Sequence, residues 1–279
     1  MEFHFLGTGA GVPSKERNTS AIVLQFFNHY KGALWLFDCG EATQHRFLHT
    51  KLKLSKLTHI FITHLHGDHI YGLPGVLGSR SFQGAESPLT VYGPKGIRSY
   101  IETSLRTSAT RLRYELAIIE IDDHMDIEMD QHRVIVRKLD HNVPSYGYRI
   151  EEKSKPGKLL VDRLKDAGVP PGPIYKELKQ GKTITLQDGR TLCARDFLGP
   201  RQPGTTLAVF GDTRPCEQAL SLASNADILI HEATFMEKDR KLAKDYAHST
   251  TIDAAKLAKT ANASALILTH ISSRYQCET

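Results

Sequence analysis

The sequence predicts a layered α/β domain, with sheets packed on one another and helices outside. Three observations predict it. Apolar, β-branched or aromatic runs recur along the chain, helical patterns lie between them, and hairpin-like strand pairs coexist with strand–helix units. Strands are expected in EFHFLG, AIVLQFF, ALWLFD, LTHIFITH, LTVYG, HRVIVRKLDH, TLAVFGD, DILIHE and SALILTH. Helices are expected in GEATQHRFLHT, PKGIRSYIETSLRT, RPCEQALSLAS and STTIDAAKLAKTAN. The last offers Ser249 or Thr250 as N-cap and Asp253 in its first turn.

The 279 residues suit one large α/β domain or two small ones, and 40% hydrophobic residues support a full core. No run reaches the roughly 18 apolar residues of a membrane helix. The start, MEFHFLGTGAGVP, lacks the basic opening and small-residue cleavage site of a secretory leader. Cys39, Cys193, Cys216 and Cys277 are scattered without a CxxC pair. That excludes a disulfide framework and a thiolate zinc site, and a cytoplasmic location is expected.

The formal net charge is +5. Lys153 to Arg195 holds ten Lys/Arg and four Asp/Glu, a net of +6, while the rest holds 26 bases and 27 acids, a net of −1. Charge alone fits either an anionic partner or a solvated loop. Residues 152–202 are rich in Lys, Gly and Pro, with two short amphipathic pieces around Pro-Pro-Gly-Pro. The segment offers too few large apolar residues for a core of its own. It is expected to be an arm inserted between 1–151 and 203–279, since forty residues is long for a functionless loop.

The strands share one property. ALWLF ends in Asp38, HIFIT in His64, VIVRKL in Asp140-His141, LAVFG in Asp212, DILI in His231 and ALILT in His270. Sites in open α/β folds gather where strand ends meet loops. GTGAG, Gly7 to Gly11, follows a strand but has Val12 where a nucleotide fingerprint needs glycine; a tight turn at the rim of the site is expected instead.

The densest motif is HLHGDH, His64 to His69. In an extended stretch alternate side chains share a face, so His64 and His66 can meet one metal. Gly67 tolerates unusual backbone angles at the turn, after which Asp68 and His69 can aim at a second. Imidazole and carboxylate without thiolate favour Zn²⁺, with Mn²⁺ or Fe as alternatives, and a metal pair suits displacement at phosphorus. His59, inside the strand pattern, is expected to pack or be exposed rather than ligate. His141, His132 and His124 all remain candidates for a further ligand.

These residues resemble the metallo-β-lactamase superfamily, through HxHxDH at His64–His69. They resemble more narrowly the short-form tRNase Z family, through FLGTGAGVPSKERNTSA, LFDCGEATQHRFLH, FITHLHGDHIYGLPG, FGDTRP and LTHISSRYQ. HEAT (His231–Thr234), HST (His248–Thr250) and PPGPIYKELKQGKTITLQDGR are similarly close. The resemblance implies a metallo-β-lactamase-type αββα sandwich with a projecting basic arm inserted. It implies one Zn²⁺ (or Mn²⁺) held by His64, His66 and His141, a second by Asp68, His69 and His270, and Asp212 bridging them. Asp38 would sit behind the ligands and accept an N–H from a histidine.

The implied activity is endonucleolytic removal of the 3′ trailer from precursor tRNA. Asp68 would orient the attacking water and take its proton. His248, oriented by Glu232, would protonate the tRNA 3′-oxygen; otherwise His248 is a helix-cap neighbour. The arm, including Gly172, Pro173, Lys176, Lys179 and Lys182, would grip the tRNA body far from the scissile bond. Lys15, Arg17 and Arg274 would bind phosphate near the 3′ end, or else be surface charge. A homodimer is implied, with one subunit's arm serving the other's site. A general phosphodiesterase or small-molecule hydrolase of the same fold is the alternative. Relatives of this kind continue for a further helix and strand beyond RYQCET, so the chain is expected to be naturally short or truncated there.

Overall fold

The computed structural model describes residues 1–27 and 32–275. Cys277 and the last residue of LTHISSRYQ lie outside the described residues. The chain divides into two compact units, one formed by Met1–Ile150 with Thr206–Thr279, the other by Glu151–Thr205.

The first unit holds two six-stranded sheets among the described residues. One runs in chain order: β1 (Glu2–Gly7), β2 (Ala21–Gln25), β3 (Leu34–Phe37), β4 (Leu57–Phe61), β5 (Leu89–Pro94) and β6 (Leu116–Ile121). The other runs in reverse order from β12 (Leu266–Thr269) through β11 (Ile228–Glu232), β10 (Thr206–Phe210), β9 (Ser145–Glu152) and β8 (His132–Leu139) to β7 (Asp126–Glu128). β1 to β3 pair antiparallel, β3 to β6 parallel, and β10 to β12 parallel.

Alternation along the strands builds four layers. Ile22, Leu24, Trp35, Phe37 and Phe61 of the first sheet pack on Val134, Val136, Tyr148, Val209 and Ile230 of the second. The intervening residues Val23, Leu34, Leu36 and Ile60 turn outward, onto Leu73, Val76, Leu77, Ile97 and Ile101 of two helices, Leu73–Phe82 and Ile97–Thr107. Ala208, Phe210 and Leu229 pack on Ala219, Leu222 and Ala258 of the helices Glu217–Ala223 and Thr251–Thr260. Both faces of both sheets are therefore covered, each large apolar side chain contributing about 1.5–3 kcal/mol on burial. Thr250 caps the last helix in a full capping box with Asp253.

The second unit corrects one expectation, because it has an apolar cluster of its own. Leu164, Val169, Leu178, Leu192 and Ala194 are buried together, with Leu159, Ile174, Tyr175, Ile184 and Phe197 against them. These residues are spread over helices Val161–Asp166, Pro173–Lys179 and Ala194–Phe197, a two-stranded pair and the connections between them, so no long run in the sequence looks apolar. Lys176, Lys179 and Lys182 are exposed on its surface. Gly172 is the extended N-cap before Pro173, which occupies the first turn where no N–H is needed.

Candidate metal centre

The C-terminal ends of β3, β4, β8, β10, β11 and β12 deliver the polar residues of the site. Asp38 follows β3, His64 follows β4, His141 follows β8, Asp212 follows β10, Glu232 ends β11 and His270 follows β12. A short parallel pair, Ile271–Ser272 with Gly9–Ala10, draws the GTGAG turn to the end of β12. There the Gly11 N–H donates to Asp68 Oδ2 at 2.7 Å. Asp38 (φ 56°) and His270 (φ 54°) adopt left-handed backbone conformations, which cost a non-glycine residue and tend to concentrate at functional sites.

HLHGDH does not turn as its glycine suggests. Gly67 opens a helical turn, Gly67–Ile70, without a left-handed angle. A Cβ there would meet the exposed Tyr71 ring at 2.1 Å, so that ring would have to move aside. The turn still separates the ligand types, with His64 and His66 on the extended side and Asp68 and His69 on the helical side.

Three overlapping donor groups result; Asp212, His248 and His270 form one, and the other two match the implied ligand sets. His64, His66, His141 and Asp212 offer one atom each within 4.8 Å of one another, as do Asp68, His69 and His270. His64 Nε2 lies 3.1 Å from His66 Nδ1, and His69 Nε2 3.3 Å from His270 Nε2. Ligands about 2.1 Å from a tetrahedral zinc lie roughly 3.4 Å apart, so both spacings fit such an ion. Asp212 Oδ2 is 3.4 Å from His64 Nε2 and 3.4 Å from His270 Nε2, within reach of both clusters. Of the three histidines the sequence left open, only His141 joins. His132 is buried against Phe26 and Trp35, and His124 is exposed in a loop. His59 packs edge-on to Trp35, and burial lowers its pKa to about 4.

The other ring nitrogens of His64, His69, His141 and His270 are committed. His69 Nδ1 donates to Asp38 Oδ2 at 2.7 Å, and His141 Nδ1 donates to the Ala247 carbonyl at 2.8 Å. Such outer contacts fix ring orientation and leave the remaining nitrogen for a metal. Burial, reinforced by neighbouring imidazoles, pushes His64 well below the usual histidine range, which keeps it an unprotonated donor. Burial opposes charge on His69, but Asp38 and Asp212 outweigh it and raise it to about 10. That ring therefore holds a proton which a metal ion must displace.

Beside the clusters, Glu232 is buried and heavily hydrogen-bonded. It accepts from the backbone N–H groups of Thr213, Thr234 and Ser249, from the Thr234 hydroxyl, and from His248 Nδ1 at 2.9 Å. Burial would raise its pKa, but these bonds, led by that from His248, bring it down to about 2. The same pairing raises His248 against the effect of its own burial. His231, on the opposite face of β11, instead lines a groove with Leu220 and Leu257 and takes no part in the clusters. Asp140, from the same set of strand endings, pairs with Arg214 outside the clusters. Arg274 stacks over Phe235, whose ring contacts His248. Arg17 donates to Thr8, and Lys15 is exposed in the same loop. Thr63 and Thr234 carry contacts to this centre that sequence reasoning missed. Both stand inside the motifs, but a threonine beside a histidine has no distinguishing pattern.

Residues 1–153 match the family model described as Anti-Pycsar protein Apyc1. That span stops short of Asp212, Glu232, His248 and His270. Over the whole chain, ribonuclease Z of Geobacillus kaustophilus is 60% identical across 278 residues, covering 100% of this chain and 90% of the relative. The chain belongs to the ribonuclease Z family. The ribonuclease Z of Listeria monocytogenes is 56% identical, with coverages of 99% and 90%. Among solved structures, human short-form tRNase Z superposes with a TM-score of 0.74 at 32% identity, covering 99% of this chain and 94% of that one. The metallo-β-lactamase fold protein YhfI of Bacillus subtilis superposes at 0.65 with 19% identity, covering 97% and 86%. The two-sheet unit of this ribonuclease Z relative is thus a metallo-β-lactamase fold.

Proposed function

We propose that the chain is an endoribonuclease that cuts precursor tRNA just 3′ of the discriminator nucleotide, leaving a 3′-hydroxyl on the tRNA and a 5′-phosphate on the trailer. The observation that carries this reading is the 60% identity to a ribonuclease Z across all of the chain, inserted unit included. Two Zn²⁺ ions would be held, one by His64, His66 and His141, the other by Asp68, His69 and His270, with Asp212 between them. When bound, they supply Lewis acidity at the phosphoryl oxygens and a lowered pKa for the attacking water.

The chain's own residues do the rest. Asp68 orients the water and accepts its proton, and the Gly11 N–H donates to this carboxylate at 2.7 Å. His248, kept protonated by Glu232, donates to the departing 3′-oxygen as its bond to phosphorus breaks. Arg274, Arg17 and Lys15 hold phosphates near the 3′ end. The basic unit, through Gly172, Pro173, Lys176, Lys179 and Lys182, grips the tRNA body. Such interactions are salt-dependent and largely blind to sequence, and A-form RNA is recognised mostly by shape. The protein acts in the cytoplasm as a homodimer, one subunit's arm serving the other's site. Among the described residues no helix is long and apolar enough to cross a membrane.

The test is incubation with a 3′-extended precursor tRNA, with and without chelator, and mapping of the cut. A single cut after the discriminator, abolished by chelator and restored by Zn²⁺ or Mn²⁺, is expected. Random or metal-independent cleavage would overturn the reading. His248→Ala should lower the single-turnover rate about 10²–10⁴-fold with binding retained. Because His248 is raised above its ordinary value, wild-type activity should persist through neutral pH and fall at higher pH as the ring loses its proton. That alkaline fall should vanish in the variant. The proton on His69 makes a further expectation: metal affinity should drop about tenfold per pH unit on acidification for each proton displaced, read by competition with a chromophoric chelator.

A further inference from the structure

Two threonines occupy equivalent places behind the two clusters. Thr63 Oγ1 is 2.9 Å from Asp38 Oδ2 and 3.0 Å from His64 Nδ1. Thr234 Oγ1 is 2.8 Å from Glu232 Oε2 and 2.9 Å from His270 Nδ1. Both hydroxyls are buried. A hydroxyl has one proton, and an ionised carboxylate only accepts. Each hydroxyl must therefore donate to its carboxylate and accept from its imidazole. The direction of the chain is fixed from one end: the imidazole Nδ1 carries the proton, the hydroxyl passes the polarity on, and the carboxylate terminates it. Nε2 of His64 and of His270 is then the atom left to face the clusters.

We infer that Thr63 and Thr234 are positioning residues, hydroxyl relays that set the tautomer and ring orientation of His64 and His270, one relay for each metal. The inference rests on the metal reading above. Asp38 serves both clusters at once, directly through His69 Nδ1 and through Thr63 to His64. Glu232 likewise has two duties. It holds His248 directly, and it reaches His270 only through Thr234, whose oxygen also lies 3.2 Å from His248 Nδ1. A metal ligand and the proposed acid thus share one carboxylate, the ligand through a hydroxyl and the acid directly.

The relay predicts that the oxygen matters and the methyl does not. Thr63→Val and Thr234→Val keep the shape and remove the relay; Thr63→Ser and Thr234→Ser keep the relay. Zn²⁺ affinity would be measured on the metal-free full-length chain by competition with a chromophoric chelator, alongside circular dichroism and Tm. Each valine variant should bind one equivalent of Zn²⁺ about 10–100-fold more weakly, and each serine variant should stay within about threefold of wild type. Valine variants that bind as tightly as wild type would overturn the relay, as would serine variants that fall with them. If a valine variant does not fold, the alanine and serine variants decide: equal affinities refute the relay, and serine well above alanine supports it. Wild-type protein that binds no Zn²⁺ would instead refute the metal reading.

Discussion

Asp212→Ala is expected to lower precursor-tRNA cleavage by about 10³-fold or more and to reduce bound Zn²⁺ below two equivalents. The magnitude follows from the several kcal/mol of charge stabilisation that a correctly placed metal pair provides, at 1.36 kcal/mol per tenfold in rate. Asp212 is singled out by its position. Its Oδ2 lies 3.4 Å from His64 Nε2, 3.4 Å from His270 Nε2, 3.7 Å from His69 Nε2 and 4.0 Å from His141 Nε2. Without it, imidazoles from both clusters face one another with no anion between them. Asp212→Asn is the sharper variant, since it keeps the shape and removes the charge. Metal content by atomic absorption and single-turnover rate should fall together. An asparagine variant with two bound metals and near-wild-type turnover would show that the carboxylate does not join the clusters.

Replacing the Glu151–Thr205 unit by a short turn is expected to separate two activities. Binding of precursor tRNA should weaken by roughly 10²-fold or more, because the lysines proposed to neutralise its phosphates go with the unit. Hydrolysis of a small phosphodiester should stay within about threefold of wild type, because every residue of the two clusters lies in the other unit. Equal losses on both substrates would sink the division of labour. Milder variants refine the test. Lys176, Lys179 and Lys182 are exposed, and the unit's core is built from other residues, so alanine at these positions should leave it folded. Removing one phosphate-binding lysine should flatten the dependence of log K on log salt by about 0.7–0.9. Mixing the truncated chain with Asp212→Ala tests the dimer: activity on precursor tRNA should return only if one subunit's arm serves the other's site.

Legibility in the sequence followed range. Strands such as Ala21–Gln25 and Leu34–Phe37 were visible because both their faces are buried, as Val23 and Leu24 illustrate, and His132–Leu139 because its buried side chains alternate with exposed ones. The helix Leu73–Phe82 was missed: Pro74, Gly75 and Gly78 blur its periodicity, and no charged first turn announces it. The strand Ser145–Glu152 was hidden by Gly147, which is needed because a side chain there would meet Leu222 at 2.7 Å. His64, His66, Asp68 and His69 were legible because four donors stand within six residues. His141, Asp212 and His270 stood out only as polar strand endings among others, and the resemblance was needed to assign them to a metal and to name Glu232 and His248 at all. In the inserted unit the two amphipathic pieces were legible but their shared core was not, since Leu164 and Leu178 meet Val169, Leu192 and Ala194 only in the folded unit.

The inserted unit leaves and rejoins the fold between β9 and β10, which are neighbours in their sheet. Its two ends meet: the Glu152 N–H donates to the Thr205 carbonyl at 2.9 Å. Were the roughly fifty intervening residues a flexible chain, closing β9 on β10 would cost about 2 kcal/mol more than closing a four-residue turn. Where the segment's own leucines gather first, those ends come together beforehand and β9 and β10 close as a hairpin would. Mutations that unsettle Leu164 or Leu178 should therefore slow refolding of the sheet that holds β9 and β10.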